Sequence, residues 1–261
     1  MRTLVSSVPV WGLVILFVGG MMALSAVGFL LVQKLDFRSP STGADTYVSA
    51  FGTRASTLFG ILLVFVIVSE YGSFQGSQRT VRAEATNLAE IIRNTQSFPA
   101  APRDRIRGAV VAYTDEVVHR EWTLMEDGEQ SDVASGKLDG IQHAISSYSP
   151  SDEADKVFYG AAVGNFDAVV NARRDRIDSA KEHIPTPLLG LLFAGAIVFV
   201  LTMFVFSAAK DSLLLALIVT LAAIVGAGLF ATVVLDYPFT GSLGISPDPF
   251  FEGALKGLVR P

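Results

Sequence analysis

Charged residues leave long gaps in this chain, and the gaps set its layout. No charge falls between Arg2 and Lys34, and 188–209 and 212–235 are almost as clean, separated by Lys210 and Asp211. A helix needs about 20 apolar residues to cross a hydrocarbon core about 30 Å thick. The pattern therefore predicts a first span at about 10–32, a third at 188–209 and a fourth at 212–235, the last two joined by a hairpin at Lys210-Asp211. A second span is shorter: the uncharged run from Ala55 to Ser69 measures only about 22 Å as a helix. It has to draw in Arg54, Glu70 or both, which predicts a helix starting near Tyr47 and running past Glu70 into the polar region that follows. The first 26 residues also have the outline of a cleavable signal peptide, with Arg2, an apolar run and Ala-Leu-Ser-Ala at 23–26. The apolar run, however, is longer than such a region needs and continues through Phe29-Leu30-Leu31.

Between spans two and three the periodicity is helical. Leu88, Ile91 and Ile92 mark one side of a helix at 78–96, and Pro99 and Pro102 separate it from the next. Ile106, Val110, Tyr113, Val117 and Met125 recur at three, four or a doubled four. Leu138, Ile141, Ile145 and Tyr148 mark a shorter helix. A last one begins at Ser151, with Asp152 and Glu153 in its first turn, where acids suit the helix dipole. It carries Val157, Phe158, Ala161, Phe166, Val169 and Ile177 towards Pro185. No alternating stretch reads as a strand. The fold class expected is an all-α membrane protein with four transmembrane helices and a helical cytoplasmic bundle between spans two and three. Its parts are 1–69, spans one and two; 70–184, the cytoplasmic helical module; 185–235, spans three and four; and 236–261, a proline-rich tail expected to run extended with Phe239, Phe250 and Phe251 as anchors.

Composition agrees with a bilayer protein: 51% of residues are hydrophobic, 17% are charged, and the mean hydropathy is +0.47. The absence of cysteine excludes disulfides, thiolate metal sites and thiol catalysis. A net charge of -5 argues against nucleic acid as a partner. Residues 70–184 hold thirteen basic and nineteen acidic side chains, a net of -6. Arg2, Arg79, Arg82, Arg173, Arg174, Arg176, Lys181, Lys256 and Arg260 fall on one side of the predicted spans, against Lys34, Arg38 and Lys210 on the other. By the positive-inside rule this places both termini and the module in the cytoplasm.

Catalytic motifs are missing: there is no phosphate loop, no Gly-x-Ser-x-Gly elbow and no His-Glu-x-x-His. His119, His143 and His183 lack an i+3 or i+4 partner, Glu121 points away from its neighbours His119 and Arg120, and the acids do not follow calcium-loop spacing. No enzyme, metal or cofactor is expected. The informative element is span two, whose small and hydroxylic residues serve either close helix packing or a wet pathway. Stepping by four gives Thr53, Thr57, Ile61, Phe65 and Ser69, polar at both ends and apolar between. Around a symmetry axis this stripe makes a narrow apolar neck between wetter vestibules. Arg54 and Glu70 at its ends are either snorkelling or ion-paired residues or charged rings at the pore mouths.

Several local motifs resemble the bacterial bestrophin-like family: Arg82-Ala83-Glu84-Ala85 after span two, Tyr113 with Glu121-Trp122 and Met125, Ala172-Arg173-Arg174-Asp175-Arg176 before Pro185, and Leu235-Asp236-Tyr237-Pro238-Phe239-Thr240-Gly241. The resemblance implies a pentameric anion channel of the bacterial inner membrane, with inorganic ions and membrane lipid as its partners. It also implies that span two lines the pore, that Ile61 and Phe65 form the neck, and that Glu84, Trp122, Arg173, Asp236, Pro238 and Phe239 are structural motif residues. An acidic calcium clasp of the animal channels is not recognisable. The acidic module leans towards cations. A rival reading from another class is a non-conducting membrane-anchored scaffold or sensor that recruits a partner through its module. A third is a small transporter using Arg54 or Glu70, without the inverted repeats such folds show.

Overall fold

The computed structural model describes residues 1–34, 44–205 and 212–259, with side chains described at 1–34, 52–202 and 212–259. The Lys210-Asp211 hairpin, Arg38 and Arg260 lie outside the described residues. Helices make up nearly all of the described chain, and those residues contain no strand. The chain divides into two compact units. The first comprises Met1, Thr3–Ser73 and His183–Tyr237, and the second Arg2, Phe74–Glu182 and Pro238–Pro261.

In the first unit, the short helix α1 (Arg2–Ser7) precedes a long apolar helix, Val10–Lys34. The latter is built from α2 (Val10–Val14), a π turn at Ile15–Gly19 and α3 (Gly20–Lys34). α4 (Ala44–Asn94) is one helix of 51 residues shared by both units, about 76 Å long at 1.5 Å per residue. α9 (Thr186–Val205) and α10 (Ser212–Leu235) complete the unit. Val10–Lys34, Gly52–Ser97 and Ser212–Leu235 are long and apolar enough to cross a membrane. α9 has no charged residue among its 20.

These helices pack by fitting large side chains into glycine gaps. A Cβ at Gly226 would lie 2.6 Å from the Phe17 carbonyl oxygen, and one at Gly195 or Gly228 would lie 2.8 Å from Phe59 or Leu63. The resulting core joins Leu13, Phe17, Phe59, Leu63, Val66, Leu192 and Leu229. In an apolar solvent such close packing, and not hydrophobic exclusion, is what holds helices together.

The second unit packs the end of α4 with α5 (Ala100–Glu116), α6 (Trp122–Glu126), α7 (Asp132–Ser146) and α8 (Glu153–Lys181), around Leu88, Ile91, Ile106, Val110, Tyr113, Ile141 and Val169. A π turn, Val117–Glu121, links α5 to α6. α8 starts two residues later than its sequence suggests, because Asp152 is its cap and accepts the Asp155 N–H at 2.7 Å. The expected stripe on α8 also divides. Phe166, Val169 and Ile177 are buried, whereas Val157, Phe158 and Ala161 lie exposed and Ala162 takes the core position.

The tail differs from an extended strand. It turns at Gly241, whose φ of 75° suits a residue without a side chain, and forms short 3-10 helices at Asp248–Phe251 and Gly253–Leu255. Phe239 and Phe250 are buried in the second unit, while Phe251 is half exposed.

Candidate functional site

α4 has two unlike faces where it runs through the first unit. Phe59, Leu63 and Val66 are each less than 9% exposed and fill the unit's core. Ile61, at 62%, and Phe65, at 71%, point away from it. Thr53, Thr57 and Ser69 are exposed as well, so all five residues of the stripe lie on the uncovered side. The Thr57 hydroxyl donates to the Thr53 carbonyl at 2.9 Å, satisfying the donor within the helix. Leu58, Val64 and Val68 widen the apolar part of this face. Arg54 is exposed and Glu70 half-buried. They lie 16 residues apart on one helix, about 24 Å along its axis, and the structure does not bring them together.

The charged motif residues converge elsewhere, in the second unit. Arg176, completely buried, donates to the Glu84 carboxylate at 2.6 and 3.0 Å and to Glu121 at 2.8 Å. Arg173 reaches Glu121 at 2.5 and 3.2 Å and also donates to the Ser131 carbonyl and the Ser135 hydroxyl. Tyr113 donates its hydroxyl to Glu84 at 2.6 Å. A second carboxylate, Glu116, accepts from the Ser131 hydroxyl and lies 3.6 Å from Lys137. The network is charge-balanced and ties α4, α5, the π turn and α8 together.

Burial by itself raises the Glu121 carboxyl, yet hydrogen bonding from Arg173 and the charges of Arg176 and Arg173 outweigh it and hold the group below the usual glutamate range. Burial, reinforced by the neighbouring Glu84 charge, pushes the Tyr113 phenol well above its ordinary value. Glu121 and Tyr113 are both fully buried. The arrangement clamps helices together.

Trp122 extends the clamp to the tail. Its indole N–H donates to the Ile245 carbonyl at 3.2 Å, its ring packs edge-on against Phe239 and Phe250, and the Arg176 guanidinium lies 5.5 Å from its centroid. Pro238 is buried and its carbonyl accepts the Ile245 N–H at 2.7 Å. Asp236 belongs to the first unit. Its carboxylate accepts the Ile184 N–H at 2.6 Å, and its carbonyl lies 2.8 Å from His183 Nδ1. His183 is half-buried and stacks on Tyr237 with centroids 4.4 Å apart. Among the described residues no cluster of three or more His, Asp or Glu side chains is placed to hold a metal.

Comparison with known proteins adds the decisive observation: a bestrophin-like domain matches residues 19–250. The chain belongs to the bestrophin-like family. Its fold is also that of a bacterial bestrophin homolog from Klebsiella pneumoniae. A crystal structure of a point mutant of that homolog superposes with a TM-score of 0.71 at 14% identity, covering 94% of this chain and 97% of the other. Another crystal structure of the homolog gives 0.70 at 14%, covering 95% and 98%. No curated protein matches the chain with significance.

In this bestrophin-like chain, sequence reasoning singled out Glu84, Trp122 and Arg173 but not Arg176 and Glu121 as their partners. A signal for Glu121 was present. It occupies the position skipped by the doubled spacing between Val117 and Met125, a charge on an otherwise apolar stripe. Arg176 likewise falls between Arg173 and Ile177 on the buried side of α8.

Proposed function

We propose that the chain assembles as a homo-oligomeric ion channel, a pentamer by family resemblance, in the bacterial inner membrane, with the exposed stripe of α4 lining its pore. The observation that carries this reading is the orientation of Ile61 and Phe65. Two large apolar side chains on the helix shared by both units point away from the core that Phe59, Leu63 and Val66 fill. Facing a symmetry axis, Ile61 and Phe65 make an apolar neck that gates by dewetting, with Thr57 and Thr53 on one side and Ser69 on the other. Arg54 and Glu70 then stand towards its mouths. Both termini and the 70–184 module are cytoplasmic, following the distribution of Lys and Arg. Family membership favours anions. The net of -6 on residues 70–184 pulls the other way, and the charge-balanced clamp of Arg173, Arg176, Glu84 and Glu121 leaves that net unchanged.

The scaffold alternative predicts that Thr57, Ile61 and Phe65 are buried among helices of one subunit, and their exposure counts against it. The test is flux through the purified protein in liposomes under separate potassium and chloride gradients, with the oligomer mass measured on the same preparation. Selective chloride flux that rises in Phe65→Ala is the expected result. Silence of both proteins in both gradients, with the oligomer intact, overturns the channel reading. Equal flux of the two refutes the neck.

A further inference from the structure

The second unit carries a cleft that the pore and the buried clamp do not use. Ile92, Thr95, Gln96, Arg103 and Arg107 line a volume of about 290 Å³ where α4 ends and α5 begins, room for about ten waters at ~30 Å³ each. Its chemistry opposes that of its surroundings. Residues 70–184 carry a net of -6, yet 93–107 hold Arg93, Arg103, Arg105 and Arg107 against one acid, Asp104.

Most of this positive charge is only partly engaged. Arg93 pairs with Glu90 and Arg105 donates to the Ser147 hydroxyl, both outside the cleft lining. Among the described residues the Arg103 guanidinium pairs only with its neighbour Asp104, at 3.2 Å with both side chains solvated, a contact of small worth. Arg107 has no hydrogen-bond or ion-pair partner among the described residues. Arg103 and Arg107 are one helical turn apart on α5, so their guanidinium groups stand on one face. Arg103 closes the first turn of a helix whose Pro99 cap supplies no side-chain acceptor, where the dipole also favours negative charge, and Arg107 follows one turn further on. Gln96 adds an amide donor, and the buried Ile92 and Thr95 form a wall whose hydroxyl is already committed to the Ile91 and Ile92 carbonyls.

We propose that this cleft is a binding site for a compact soluble oxyanion of two or more charges, phosphate- or carboxylate-bearing, held by Arg103 and Arg107 with help from Gln96. Planar guanidinium groups match such oxygens two at a time. Gln96 and Arg107 are exposed, which suits the site to an anion arriving from water. The proposal stands independently of the channel reading, since it requires only the second unit.

Calorimetric titration of the full-length protein with pyrophosphate and, separately, with citrate tests it. Saturable one-site binding of at least one is expected. Arg107→Gln should weaken binding about tenfold and Arg103→Gln/Arg107→Gln further, with melting temperatures unchanged because both side chains reach solvent. Arg174→Gln removes an exposed arginine of the same unit outside the cleft and should leave binding intact. The proposal is overturned if neither anion binds, or if Arg174→Gln weakens binding as much as Arg107→Gln. Binding of short-chain phosphatidic acid without binding of pyrophosphate or citrate would overturn the soluble-ligand assignment in favour of a lipid headgroup.

Discussion

Removing Arg176 should strongly destabilise the second unit. In Arg176→Met the Glu84 carboxylate loses two hydrogen bonds, at 2.6 and 3.0 Å, and keeps only that from Tyr113. Glu121 loses one, at 2.8 Å, but retains Arg173. Both carboxylates have no exposed surface, so water cannot replace what is lost. Leaving a buried charge without its partner costs about 3–5 kcal/mol, a fall in melting temperature of roughly 6–20 °C for a chain of this size. The double variant Glu84→Gln/Arg176→Met removes both charges, leaves Tyr113 an acceptor, and should recover at least half of that fall. Thermal unfolding in detergent followed by tryptophan fluorescence suits the assay, because Trp122 packs against Arg176, and Arg174→Met serves as the exposed control. A melt of Arg176→Met within about 1 °C of the parent, or a double variant as unstable as the two single losses added together, would refute the clamp.

Further expectations concern the two faces of α4, the glycine gaps and acid. Phe59→Ala should destabilise the first unit by about 3–5 kcal/mol while Phe65→Ala leaves the melt unchanged, since only Phe59 is in the core; equal losses would contradict the orientation of α4. Gly226→Val should prevent proper packing, because its Cβ meets the Phe17 and Val18 backbone, which cannot rotate away; normal yield and mass of the variant oligomer would refute this. Glu121 keeps its charge in the folded state to lower pH than in the unfolded chain. Its contribution to stability is therefore fully present above the ordinary glutamate range, about pH 4.3, and is lost as pH falls through the folded-state value. Melting temperature followed from pH 6 to 3 should drop more steeply in the parent than in Glu121→Gln, and parallel slopes would exclude Glu121 as a source.

The positions of the helices are legible in the residue order, because a bilayer demands long uncharged runs and a bundle demands a 3.6-residue period. Val10–Lys34 and Ser212–Leu235 follow from those runs directly, and the continuity of α4 past Glu70 follows from a span too short to end there. The local motifs also carried the family resemblance. Which way a helix faces was another matter. Span two reads as small and apolar on nearly every side, so only the gaps at Gly195 and Gly228 decided that Phe59 and Leu63 turn inward and Phe65 outward. Val157 and Phe158 read as core for the same reason in reverse: periodicity reports an apolar stripe but not what covers it. The ion clamp needed the tertiary fold most. Glu84 and Arg176 are 92 residues apart in sequence, and a charge on an apolar stripe signals that a partner is needed without naming it. Only packing α4 against α8 brought the two within reach, with the π turn adding Glu121 and the tail closing over Trp122.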